Sequence, residues 1–171
     1  MNEKEKIKKL ALAGMFIAAG AAASPLSIPV GVSRCFPVQH VINVLAAVLL
    51  GPLYGVSMAF ITSFIRVSIG TGSLLAFPGS MCGALLSGLA YKYGKKLWLA
   101  YAGEVIGTGV IGAVLSYPVA VLIMGNKTAA VFTYIIPFGI STLGGTAIAS
   151  AVIALLKKTG LIEKHRGGMG I

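Results

Sequence analysis

Apolar residues in this chain fall into six long blocks, separated by short breaks rich in proline, glycine and lysine. The first block covers 7–23 and ends before Pro25 and Pro29, which lack the backbone donor a helix needs. Residues 24–36 hold those prolines with Gly31 and Arg34 and read as an ordered loop. Pro37 suits the first turn of a new helix, so a second block covers 37–50. Gly51-Pro52 makes a tight break before a third block over 53–69, which Gly70-Thr71-Gly72 closes. The fourth ends at Tyr91; Pro78-Gly79 interrupts it, so it starts either at Met81 or near Leu74, the longer version being 74–91. The fifth, 97–124, is long for a bilayer and predicts tilt or a bend near Pro118. The sixth, 128–156, contains Pro137. About 20 apolar residues cross a hydrocarbon layer. The pattern therefore predicts an all-α polytopic membrane protein, with six transmembrane helices in a single integral membrane domain over 1–171.

Composition sharpens this picture. Only 11% of residues are charged, against roughly a quarter in a soluble domain, and mean hydropathy is +0.92. Too few polar side chains remain to cover a water-facing globule, which excludes a soluble enzyme, and disorder fails on the same figures. The net charge of +10 is clustered beside the blocks: Lys4, Lys6, Lys8 and Lys9; Lys92, Lys95 and Lys96; Lys157, Lys158, Lys164 and Arg166. These make up 11 of the 14 basic residues and fall on one side if both termini are cytoplasmic, as the positive-inside rule predicts. Their expected partners are anionic lipid headgroups of the bilayer. No basic face interleaved with aromatics points to nucleic acid. The basic start and long apolar stretch predict a retained first helix and not a cleaved leader.

Polar residues inside such blocks are costly and therefore informative. On the outer side they collect in the segment from Arg34 to Asn43, with His40 and Asn43 three apart on one helix face and Gln39 and Arg34 just above. Arg66 and Ser63 lie near the outer end of the third block; Ser116 and Tyr117 come from the fifth, and Thr133, Tyr134 and Ser141 from the sixth. Shared depth predicts a pocket near the outer surface above a mostly apolar inner half. Glu104 is the one acid inside a block, about 10 Å from the inner side at 1.5 Å per residue; helix packing is favoured for it over a proton relay. Cys35 and Cys82 have no metal-ligand spacing and read as small apolar fillers. No P-loop, HExxH or GxSxG motif occurs, so neither an enzyme nor a cofactor or metal site is expected. Gly14, Ala18 and Ala22 set small residues at four-residue steps, a strip for close helix packing, inside the chain or against a partner.

The run from Pro29 through Arg34-Cys35-Phe36-Pro37-Val38-Gln39-His40 to Leu45, then Leu50-Gly51-Pro52-Leu53-Tyr54, then Gly70-Thr71-Gly72-Ser73-Leu74-Leu75-Ala76-Phe77-Pro78-Gly79-Ser80, resembles the ThiW family. ThiW proteins are substrate-binding S components of energy-coupling factor (ECF) transporters, thought to handle the thiazole precursor of thiamin. The resemblance implies a six-helix S-component-like bundle in a prokaryotic cell membrane. It also implies a transmembrane coupling protein and two cytoplasmic ATPases as partners, since the chain has no nucleotide site of its own. In that fold the loops between spans 1 and 2 and between spans 3 and 4 close over an outer pocket, and the small-residue strip of span 1 meets the coupling protein.

Hydroxyethylthiazole is small, neutral and aromatic, and needs an apolar slot plus a few donors and acceptors. Phe36, Phe77, Tyr117 and Tyr134 are the expected ring contacts, and Gln39, His40 and Asn43 the expected polar ones. A phosphorylated thiazole would need a cation, which Arg34 or Arg66 could supply. The competing expectation is a self-sufficient secondary carrier, proton-coupled through Glu104, although no internal repeat of the kind common in such carriers is evident.

Overall fold

The computed structural model describes residues 3–30, 33–160 and 162. Gly31 and Val32 of the first motif run, and Lys164 and Arg166 of the last basic cluster, lie outside the described residues. Six long helical stretches are present among the described residues: α1 (Glu3–Ala22), α2 (Pro37–Leu49), α3 (Pro52–Ser68), α4 (Ala76–Gly94), α5 (Leu97–Ile123) and α6 (Ile135–Lys158). The segment expected as a loop after α1 contains a small antiparallel hairpin, β1 (Ile28–Val30) and β2 (Ser33–Cys35), with Pro29 opposite Arg34.

Local chemistry sets most of the boundaries. Pro37 and Pro52 occupy first turns, where a missing N–H costs nothing. Gly51 precedes α3 at φ 90°, a conformation that favours glycine. Pro78 falls in the first turn of α4, so that helix starts at Ala76 and the proline does not break it. In α5 the ladder widens into π-helix twice, over Gly107–Gly112 and, directly after Pro118, over Val119–Ile123. The second wide turn follows the proline's missing donor, at the irregularity expected there; the first carries Thr108 into the interior.

The sixth helix begins at Ile135, not at 128. Before it, Asn126 Oδ1 accepts bonds from the Thr128 N–H and hydroxyl, and Thr133 Oγ1 accepts from the Ala130 N–H. Side chains that capture nearby backbone donors compete with the helical ladder.

Polarity is inverted relative to a soluble fold. Leu53, Leu122 and Ile136 are 82%, 80% and 71% exposed, whereas Arg66, Asn43 and Glu104 are 2%, 1% and 0% exposed. By length and composition, two described helices qualify as membrane-crossing on their own, Leu97–Ile123 and Ile135–Lys158, with Pro37–Leu49 apolar but shorter. Six spans of unequal length are expected from the sequence; six helices are present, and two of them meet the length and hydropathy of a span unaided. Charge fills the first half of α1, and α2 and α3 have only 13 and 17 residues.

α4 is central, packing on α2, α3 and α5, while α2 also meets α6. The main apolar core gathers Val44, Leu45, Val48, Met58, Tyr91 and Ile153; a smaller one, toward the hairpin, holds Leu75, Ala113, Tyr134 and Phe138. Helices α4 and α5 touch backbone to backbone. A Cβ on Gly107 would lie 2.6 Å from the Cys82 carbonyl oxygen, and one on Gly103 would lie 2.7 Å from that of Leu86. Small residues are how helices approach closely where lipid offers no hydrophobic drive.

That contact yields a stability test. Gly107→Ala should cost about 1–3 kcal/mol through overpacking and lower the thermal unfolding midpoint in detergent. Gly14→Ala, where an added Cβ meets nothing within 4 Å, should leave the midpoint unchanged or raise it.

Candidate ligand-binding site

The polar interior is organised around one carboxylate oxygen. Glu104 Oε1 lies 2.8 Å from His40 Nδ1, 3.0 Å from Asn43 Nδ2 and 3.1 Å from the Thr108 hydroxyl. His40 Nε2 is 3.0 Å from the Ser141 hydroxyl, which accepts the Phe36 N–H at 2.8 Å. An imidazole carrying its proton on Nδ1 satisfies this chain in one direction, from the Phe36 N–H through Ser141 and His40 to Glu104. The second Asn43 proton goes to the Ser80 carbonyl at 3.1 Å, and Gln39 Nε2 donates to Asn43 Oδ1 at 3.3 Å. Two glycines make room: a Cβ on Gly83 would lie 2.8 Å from either Glu104 oxygen, and one on Gly145 would lie 2.6 Å from His40 Cβ.

Above this layer is a narrow cavity, with about 40 Å³ open to the centre of a water-sized sphere. Its lining includes Arg34, Phe36, Gln39, His40, Arg66 and Phe138, with hydroxyls of Ser33, Ser73, Ser80, Thr108 and Ser141. Such a volume holds about three waters. The hairpin is pinned to α6 by the Phe36–Ser141 bond and by the Cys35 thiol, which donates to the Pro137 carbonyl at 3.4 Å. Burial raises the Cys35 pKa above its ordinary value, with the Ser141 hydroxyl partly offsetting it. The loop after α3 folds back at Gly70, with φ 75°. There the Thr71 and Gly72 N–H groups both donate to the Arg66 carbonyl at 2.9 Å. One contact joins this loop to the end of α1: the Ser24 and Thr71 hydroxyls, 2.8 Å apart.

Of the residues expected at the site, Arg34, Phe36, Gln39, His40 and Arg66 line the cavity, and Asn43 supports it from behind through Glu104 and Gln39. Phe77, Tyr117 and Tyr134 are absent from the lining. Phe77 pairs with the outward Phe60, ring centroids 5.5 Å apart. Neighbours on a helix point about 100° apart, so Phe77 turns away when Ala76 and Ser80 face inward, and Tyr117 does so beside the buried Ser116. Tyr134 is buried beside Phe138, which supplies the lining ring one turn further on. Thr108, Ser80 and Phe138 had no signal in their spacing.

Glu104 was expected in a separate, inner layer of the membrane. Instead it belongs to the polar network, because α2 is short. Its 13 residues span about 20 Å, which brings His40 and Asn43 down to the depth of the carboxylate. Along α1, Ala13 and Gly20 are buried while Gly14, Ala18 and Ala22 are exposed, so the small-residue strip faces away from the bundle.

A family model for thiamine-precursor transporter proteins (ThiW) matches residues 10–159. A solved structure from work on the structure and mechanism of the S component of a bacterial ECF transporter has the same fold. The TM-score is 0.75 at 18% identity, covering 90% of this chain and 98% of that one. No curated protein sequence gives a significant match.

The network predicts unequal effects at one position. Glu104→Ala strands buried donors of His40 and Asn43, at about 1–3 kcal/mol for each group left unpaired, and should strongly lower the unfolding midpoint; the Thr108 hydroxyl keeps the Gly79 carbonyl at 3.2 Å. Glu104→Gln keeps an acceptor at Oε1 and should lose distinctly less.

Proposed function

The chain belongs to the ThiW family of thiamine-precursor transporters, and from that premise we propose that it is the substrate-binding subunit of an ECF-type importer for hydroxyethylthiazole. It is a transporter and not an enzyme. In this reading all six helices span the cell membrane, both termini are cytoplasmic, and the cavity faces outward beneath the hairpin and the loop after α3.

The observation that carries the proposal is the cavity, which combines the Phe36 and Phe138 rings with the polar atoms of Gln39 and His40. Such a mix suits a small ring with one nitrogen and one hydroxyl. The lysines agree with the orientation: Lys9, Lys92 and Lys95 gather at the far end of α2, around Leu49 to Tyr54. The exposed strip Gly14, Ala18 and Ala22 supports docking of a transmembrane coupling protein, whose two ATPases would supply the energy. A self-sufficient proton-coupled carrier is favoured by one observation, the buried His40–Glu104 contact.

Purified protein in nanodiscs should bind hydroxyethylthiazole, and the His40→Ala, Asn43→Ala double variant should bind at least tenfold more weakly, about 1.4 kcal/mol. Unchanged affinity in a folded variant removes these residues from the site. In liposomes, uptake should require the coupling protein and ATPases; uptake by the chain alone establishes the carrier reading. Ala18→Trp should keep ligand binding and abolish uptake by the full assembly.

A further inference from the structure

Arg66 is the largest fully buried side chain among the described residues, 2% exposed, and it lines the cavity. Among the described residues its charge has no carboxylate partner. Glu104, the acid of the interior, is engaged by His40, and Glu3 by Lys6. The guanidinium is held on two sides only: Nη1 donates to Gln39 Oε1 at 3.3 Å, and the Phe36 ring lies 3.7 Å from Cζ. Nε and Nη2 have no partner. Those two nitrogens form one edge of the guanidinium, with parallel N–H bonds spaced to take both oxygens of a carboxylate or phosphate side-on. Stacking on Phe36 fixes the plane, and the Gln39 bond fixes the rotation, leaving that edge preset. A buried cation with open donors is costly until an anion answers it. The cavity lining supplies none, since it contains two arginines and a histidine but no aspartate or glutamate.

We propose that Arg66 is an anion receptor and that, beyond the neutral alcohol, the protein prefers a guest that carries an oxyanion, a phosphate monoester or a carboxylate, seated side-on against Nε–H and Nη2–H. The identity of the ring that bears this group rests on the thiazole reading above; the anion site does not. Arg34, exposed on the hairpin, is a solvated charge at the cavity mouth and not the receptor.

Calorimetry on the full chain in nanodiscs tests this with four probes: hydroxyethylthiazole, its phosphate monoester, a thiazole carboxylate, and inorganic phosphate. At least one anionic thiazole should bind tenfold or more tightly than the alcohol, and which one does so identifies the group. Arg66→Gln should collapse that ratio to within about threefold, while Arg66→Lys, which keeps the charge and loses the fork, should fall between. Unfolding midpoints show which variants are folded, and Arg34→Gln should retain the ratio. The proposal is overturned if the alcohol binds as well as both anions, if Arg66→Gln weakens all thiazoles equally, or if Arg34→Gln alone removes the preference. Should no thiazole bind, the thiazole reading fails on its own. Inorganic phosphate then decides the anion site: heat of binding lost in Arg66→Gln upholds it, and no heat in the parent protein ends it.

Discussion

A carboxylate sealed between helices is destabilising by several kcal/mol unless donors replace its lost water. Most of this interior is arranged to meet that requirement at one oxygen of Glu104, Oε1, while Oε2 has no partner among the described residues. α2 contributes His40 and Asn43, and α5 itself contributes Thr108 through a π-helical turn. α4 offers a bare backbone at Gly83 so that the carboxylate can lie against it, and α6 does the same for His40 at Gly145. Four helices are thereby tied at one depth, and the cavity rests on the result. Its floor is not made of independent side chains but of the upper surface of a single bonded network.

An apolar exterior around this polar centre also explains how helices of unequal length cohere. α2, with 13 residues, is too short to define a bilayer span by itself, yet it is among the most enclosed elements, buried from Ile42 through Leu50. Its packing on α4 and α6 gives it the environment that its length alone does not. Where backbones must come within contact distance, glycine supplies the space; where they need not, as at Gly14, the surface is left open toward the surroundings.

Much of the helical order could be read from breaks in hydropathy, because Gly51-Pro52 and the lysine break after Tyr91 act locally and leave their mark in a few residues. The polar cluster from Arg34 to Asn43 was legible for a similar reason: polar side chains are rare in such a chain and stand out. Three things were not legible. Which aromatic ring faces inward depends on helix phase, and a phase error of one residue moves Phe77 or Tyr134 off the cavity. The start of α6 depends on Asn126 and Thr133 capturing backbone donors, a competition that composition does not reveal. The union of Glu104 with His40 depends on the relative depth of two helices, which emerges only when the unequal lengths are packed together.

Arg66 serves two parts of the site at once. Its side chain projects into the cavity, while its carbonyl oxygen holds the Thr71 and Gly72 amides of the covering loop. Toward α1 the loop is tied by the Ser24–Thr71 hydroxyl pair, a neutral bond that nets only about 1 kcal/mol, and at its far end Leu75 is buried in the smaller core. Roof and floor therefore share one residue as a common post, so a displacement of Arg66 reaches the cavity through its side chain and the cover through its carbonyl.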